Sequence, residues 1–177
     1  MKEKELPLLL EAGGRLRDEG YNFRLIFIGD GPERASLEGQ AAFLSLQAHV
    51  RFTGFLQGHA LRAALADVAA LVMPCIWEET AGNAAIEQMM RGRLVIAADI
   101  GGLGEVVGDT GLKFKAGDVN QLTACLRQVI DNPTQMIEIG RKARQRALCL
   151  FAQDRMVDKY YNVYEESLNR ARTNLVS

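Results

Sequence analysis

A chain of 177 residues with 21 Lys and Arg against 22 Asp and Glu has a formal charge of −1, which excludes the electrostatic footprint of a nucleic-acid or anionic-membrane binder. Average apolar content (48%) without any apolar run longer than a strand predicts one domain over 1–177 that buries its own core, with no signal peptide or membrane span. The cysteines (Cys75, Cys125, Cys149) are odd in number and widely spaced, which argues against a disulfide framework or a structural zinc site and predicts a cytoplasmic protein.

In chain order, Leu8, Leu9, Ala12 and Leu16 recur at helical spacing before Gly20, predicting a helix over about 5–19. Residues 23–28 read as a strand, 29–32 (Gly-Asp-Gly-Pro) as a turn, and a second helix is expected to reach about 47. A strand over 49–54, a short helix over 61–66 and a buried strand over 69–73 follow. Next come a helix over 83–91, a strand over 94–97, a glycine-rich loop at 101–105 and a short edge strand over 111–115. Helices over 119–131, 133–150 and 153–172 close the chain. Strands alternating with helices predict an α/β fold, a parallel sheet with ligands at the carboxyl ends of its strands.

The most informative segment joins the buried strand to the next helix: Trp77-Glu78-Glu79-Thr80-Ala81-Gly82-Asn83-Ala84-Ala85-Ile86-Glu87. A helix N-terminus offers unpaired N–H groups and partial positive charge, which suits phosphate. A carboxylate one turn inside, Glu87, can accept from two ribose hydroxyls, and Glu79 can reach what lies beyond the phosphates. The competing reading is that acidic residues near a helix start merely complement its dipole. Gly29 and Gly31 suggest a dinucleotide fingerprint, but Arg34 occupies its third glycine position. His49 and His59 lack metal-ligand spacing to any partner and read as structural or surface residues; no D-x-D motif indicates a bridging metal.

Glu79 and Glu87 resemble the paired glutamates, E-x7-E, of retaining GT-B glycosyltransferases, in particular glycosyltransferase family 4 (the group 1 domain). Trp77-Glu78-Glu79, Gly82, Glu87, Met89, Gly92 and Val95-Ile96-Ala97 stand in that family's frame. So do Lys4-Glu5-Leu6-Pro7-Leu8-Leu9-Leu10-Glu11-Ala12 for its K-G-x-x-x-L-L-x-A, Ile28-Gly29-Asp30-Gly31-Pro32-Glu33 for V-G-D-G-P-E, Val50-Arg51-Phe52-Thr53-Gly54-Phe55 for V-x-F-x-G-x, and Asp99 to Val107 for G-G-x-P-E-V-V.

The resemblance implies a doubly wound, Rossmann-like sheet, the C-terminal donor-binding half of a two-domain enzyme. That enzyme transfers a sugar from a nucleoside-diphosphate sugar to a hydroxyl acceptor, in polysaccharide or glycan synthesis. It implies that Glu87 holds the ribose hydroxyls and that Gly82, Asn83 and Ala84 bind the distal phosphate through backbone N–H groups. Glu79 contacts the donor sugar and its transition state, and Lys4 neutralises the leaving diphosphate. Gly29 and Gly31 line the nucleotide pocket, and Phe55 and Leu56 flank the base. No cofactor or metal is implied. Asn83 and Ala84 are smaller or more polar than the family's residues, and Gly104 replaces a proline, which predicts a more flexible loop. Glu105 is expected to cap a helix or orient that loop. The family's first, central strand and its arginine have no counterpart ahead of Lys4. The sheet is therefore expected either to close up or to receive a strand from a neighbouring chain or domain, by dimerisation or strand exchange. The acceptor would be read by an absent N-terminal domain, which could also bring the enzyme to the membrane. The last helix, with Phe151, Tyr160, Tyr161 and Tyr164, would pack on that domain or cover this domain's own core. The alternative from another class is a non-catalytic, partner-binding relative; the chain alone is expected to transfer little or nothing. Donor base, donor sugar and acceptor are not specified by these residues.

Overall fold

The computed structural model describes residues 4–77 and 82–174. Eight helices and five strands are assigned among the described residues, in the expected alternation: α1 (Leu6–Asp18), β1 (Leu25–Ile28), α2 (Arg34–Phe43), β2 (Val50–Gly54), α3 (Gly58–Ala64), β3 (Ala70–Met73), α4 (Asn83–Met90), β4 (Leu94–Ala98), α5 (Gly101–Val107), β5 (Leu112–Phe114), α6 (Val119–Asp131), α7 (Pro133–Phe151) and α8 (Gln153–Asn174).

Every strand pairing is parallel, but the sheet is in two pieces: β1 pairs with β2, and β3 with β4 with β5. The sheet therefore does not close up. β4 shows how the packing works. Leu94, Ile96 and Ala98 enter one core with α1, α2 and α6, while Val95 and Ala97 enter a second with α4, α5 and α7. Alternate residues of a central parallel strand meet a helix layer on each face, so the whole strand is apolar and buried. β3 was expected to be equally buried, yet only Met73 is; Ala70, Leu71 and Val72 are half-buried because one edge of the strand has no neighbour.

α1 spans the two pieces. Its Leu8, Leu9, Leu10, Ala12 and Leu16 share one cluster with Phe27 of β1 and with Leu94 and Ile96 of β4. Gly13 lets it sit close: an added Cβ would stand 3.1 Å from the Leu25 side chain. α1 runs in the same direction as α6, because Arg15 bonds Asn120, Glu19 takes a forked pair from Arg127 (2.6 and 2.5 Å), and the Tyr21 hydroxyl donates to Asp131 (3.2 Å). α6 starts just after the carboxyl end of β5, so α1 also starts at that edge and delivers the chain to the beginning of β1 at the other.

Further expectations change. α2 ends at Phe43, because Ser45 takes a left-handed conformation (φ 50°) that turns Leu46 into the core. Residues 101–107 form a helix, not a loop, since Leu103, Val106 and Val107 bury at helical spacing against β4. Gly104 is consequently fixed in place: a Cβ there would lie 2.5 Å from Asp99 Oδ1. Among the described residues Glu105 neither caps nor orients by its carboxylate; it is exposed, and its backbone carbonyl accepts from Arg146 (2.7 Å). Tyr160, Tyr161 and Tyr164 of α8 are about 60% exposed and do not cover this domain's core, whereas Phe151 packs against the second cluster. Among the described residues no helix is long and apolar enough to cross a membrane.

Candidate functional site

The start of α4 is the centre of the site. β3 ends at Met73, and the chain passes Pro74, Cys75, Ile76 and Trp77 before Gly82 turns it into the helix. Gly82 is buried with φ 51° and ψ 48°, a left-handed conformation that costs a residue with a Cβ about 1–2 kcal/mol. The first intrahelical donors are the N–H groups of Ala85 (2.7 Å) and Ile86 (3.2 Å), both to the Gly82 carbonyl. Among the described residues no side chain caps the helix. The N–H groups of Asn83 and Ala84 therefore point out of the helix end without an intrahelical acceptor. α6 differs: there Asp118 accepts from the Gln121 N–H (3.0 Å) and closes the end.

Ala85, Gln88 and Met89 bury the inner face of α4, and Asn83 and Glu87 are exposed one turn apart. Glu87 makes no hydrogen bond or ion pair with another described residue. An anion at the helix start would thus have alongside it, one turn away, a carboxylate that no described residue engages. Glu79, its expected partner, lies outside the described residues, as do Glu78, Thr80 and Ala81.

The remaining predicted residues follow the carboxyl ends of other strands or, for Lys4, precede the helix that starts at that edge. Gly29 (φ 131°) and Gly31 are exposed in the turn after β1 with open space where a Cβ would go. That turn is closed by Asp30, which accepts from the Gly31 N–H (2.8 Å), and by Arg34, held between Glu38 (2.8 Å) and Asp30 (3.4 Å). The Glu38 hydrogen bond raises the Arg34 pKa, so this guanidinium is a fixed cation beside the tip of β2, 3.3 Å from where a Gly54 Cβ would stand. Phe55 is 73% exposed and is not core; Leu56 is half-buried beside it. Lys4 is exposed just ahead of α1, with no partner among the described residues, and Glu5 after it is left-handed (φ 43°). His49 is structural: its ring stacks on Phe23 (4.6 Å) and Nδ1 lies 3.1 Å from the Phe23 carbonyl.

Sequence reasoning passed over a hollow at the same edge, lined by Asp99, Lys113, Phe114, Lys115 and Gln121, with a Lys113–Asp99 ion pair at 3.2 Å. The available signal was Lys-Phe-Lys at a strand end, which places two cations on one side of the strand.

The model of the glycosyl transferases group 1 family matches residues 1–146. A 2-deoxystreptamine glucosyltransferase of Streptomyces kanamyceticus is 33% identical over 145 residues, covering 81% of this chain and 37% of the relative. The chain thus spans less than half the length of that relative. A sucrose-phosphate synthase from Thermosynechococcus elongatus has the same fold, with a TM-score of 0.84 at 24% identity over 96% of this chain and 44% of that one. The Anabaena protein HepE, solved in complex with UDP, gives 0.83 at 21% identity over 94% and 46%. With the parallel α/β architecture and the open start of α4 beside Glu87, these matches place the chain in the glycosyl transferases group 1 family, as a domain of GT-B fold.

Proposed function

We propose that this chain is the donor-binding half of a retaining glycosyltransferase that moves a sugar from a nucleoside diphosphate to a hydroxyl acceptor in polysaccharide or glycan synthesis. The start of α4, where the N–H groups of Asn83 and Ala84 have no intrahelical acceptor, with Glu87 one turn inside and without a side-chain partner among the described residues, carries this reading. The UDP in the Anabaena structure of the same fold supports a nucleoside diphosphate as the group bound.

In this reading the N–H groups of Gly82, Asn83 and Ala84 bind the distal phosphate, and Glu87 accepts from the two ribose hydroxyls. Phe55 and Leu56 flank the base, and the open turn at Gly29 and Gly31 lines the pocket. Lys4 and the helix end meet the charge that builds on the leaving diphosphate, where such groups stabilise the transition state most. No metal is then needed, and EDTA leaves nucleotide binding unchanged. Glu79 serves the donor sugar and the positive charge of the transition state. The acceptor is supplied by a separate domain, so the chain alone binds but does not turn over.

Calorimetric titration with UDP, GDP and ADP tests the reading. Saturable binding to one of them, weakened about 10- to 100-fold in Glu87→Ala, is expected from loss of charge-assisted hydrogen bonds. Binding that is indifferent to Glu87→Ala, or no binding by the folded chain, refutes it and favours the partner-binding alternative. In the complete enzyme, a product with the donor's anomeric configuration inverted would refute retention.

A further inference from the structure

α3 buries no residue, and ahead of it Phe55 and Gln57 are exposed and Leu56 is only half-buried. Apolar burial downstream of β2 therefore does little to hold Phe55, and among the described residues the contacts that can hold it lie at the tip of the strand. Gly54 forms that tip in a left-handed conformation (φ 72°). Its carbonyl accepts from the Gly29 N–H (2.9 Å) and from the Thr53 hydroxyl (2.9 Å). Its bare side faces Arg34: Nη1 lies 3.3 Å, and Asp30 Oδ2 3.9 Å, from where a Cβ would be. Arg34 is itself fixed from two directions, through Nε to Glu38 (2.8 Å) and through Nη1 to Asp30 (3.4 Å), and Asp30 accepts from the Gly31 N–H (2.8 Å). α2 begins at Arg34 and is anchored in the first core by Leu37 and Ala41. A line of contacts thus runs from the core through one guanidinium to the turn after β1 and to the tip of β2.

We propose, resting on the donor-binding reading, that Arg34 is a positioning residue: it holds the tip of β2 against the turn after β1, so that Phe55 and Leu56 are set in place for the base of a nucleoside diphosphate. The task needs a fork. A guanidinium presents N–H groups in fixed directions and meets two carboxylates while lying beside Gly54, whereas an ammonium is a point charge on a flexible stem. A solvated ion pair one helical turn long accounts for the Glu38 contact. It does not account for Nη1, which is turned to Asp30 and Gly54 ahead of the helix. Nor does Arg34 act by drawing in an anion from a distance, because two carboxylates beside it leave the cluster without net positive charge.

Titration of the 177-residue chain and of Arg34→Met, Arg34→Lys and Glu87→Ala with UDP, GDP and ADP tests the proposal, together with backbone amide order parameters at Phe55. Arg34→Met and Arg34→Lys should each weaken the tightest of these ligands by about 3- to 10-fold, because binding must then order the tip of β2. Their urea midpoints stay at the native value, since exposed ion pairs contribute little to stability. The Phe55 order parameter falls from about 0.85 towards about 0.6 in Arg34→Met, while that of Ile96 does not move. Native affinity in Arg34→Lys overturns the proposal in favour of charge alone. Native affinity in Arg34→Met, an unchanged order parameter at Phe55, or an affinity loss matched by a lower urea midpoint overturns it in favour of a solvated or merely stabilising pair. In each of these cases, binding that still depends on Glu87 leaves the donor-binding reading standing. No binding by the native chain, or binding indifferent to Glu87→Ala, overturns both.

Discussion

The same substitution at two helical glycines should change stability in opposite directions. Gly39 lies in α2, exposed, with nothing within 4 Å of an added Cβ. Gly140 lies in α7, buried, and its added Cβ would stand 2.3 Å from the Gly92 carbonyl oxygen and 3.2 Å from the Gly92 carbonyl carbon. Helix propensity alone favours alanine at both sites by about 1 kcal/mol. At Gly140 the obstacle is backbone at the turn between α4 and β4, which cannot rotate away. α7 would have to withdraw by roughly 1 Å to restore ordinary contact, and overpacking of this kind costs about 1–3 kcal/mol. Withdrawal also loosens Ala143 and Ala147 from the second cluster, which places the cost at the upper end. The expected net changes are about 1 kcal/mol of stabilisation for Gly39→Ala and about 2 kcal/mol of destabilisation for Gly140→Ala. With a urea dependence near 2 kcal/mol per molar, the midpoints followed by far-ultraviolet circular dichroism move up by about 0.5 M and down by about 1 M. Equal signs for the two variants would refute the reasoning, because propensity would then outweigh the backbone contact.

Glu5 stands where the family's motif has glycine, and it is held at φ 43° and ψ 39°. Glu5→Gly should stabilise by about 1 kcal/mol and raise Tm by about 2–4 °C; a lower Tm would show that the left-handed conformation carries no cost. Arg93 donates to the Leu65 carbonyl (2.5 Å), the Val68 carbonyl (3.2 Å) and the Gln88 side chain (2.8 Å), tying the entry of β3 to the end of α4. Burial, aided by the charge of Arg91, lowers its pKa. Arg93→Lys keeps a charge but cannot span three acceptors, so a loss of about 2 kcal/mol in urea unfolding is expected and an unchanged midpoint would contradict it. The forked hydrogen bond from Arg127 holds the Glu19 pKa below its ordinary value of 4.5. A carboxyl whose folded pKa is depressed contributes stability above its unfolded pKa and loses that contribution as pH falls through the folded value. The stability gap between the native chain and Arg127→Met should therefore be open at neutral pH, close on acidification below the ordinary glutamate range, and narrow in salt. A gap that persists in strong acid would point to packing by the arginine stem instead.

The alternation of strands and helices was legible because each element carries its own period. Leu8, Leu9, Ala12 and Leu16 mark one helix face, and the fully apolar run 94–98 marks a strand covered on both sides. What was not legible depends on neighbours distant in sequence. Gly101-Gly102-Leu103-Gly104 reads as a loop by propensity, yet burial of Leu103, Val106 and Val107 holds it helical, and the Gly104 contact with Asp99 exists only once that helix is formed. The apolar residues of α8 face outward although their spacing is that of any buried helix, because periodicity identifies a face without saying what covers it.

The site and the opening in the sheet have a common origin in local chain geometry. Gly82 is readable as a helix start because few other residues tolerate its left-handed backbone, and Glu87 follows by helical spacing alone. The half-burial of β3 had no such signature: Ala70-Leu71-Val72 has the composition of an interior strand and differs from one only in the neighbour beside it. β3 also leads to Trp77 and Gly82, so the strand with one free edge is the one that delivers the chain to the start of α4.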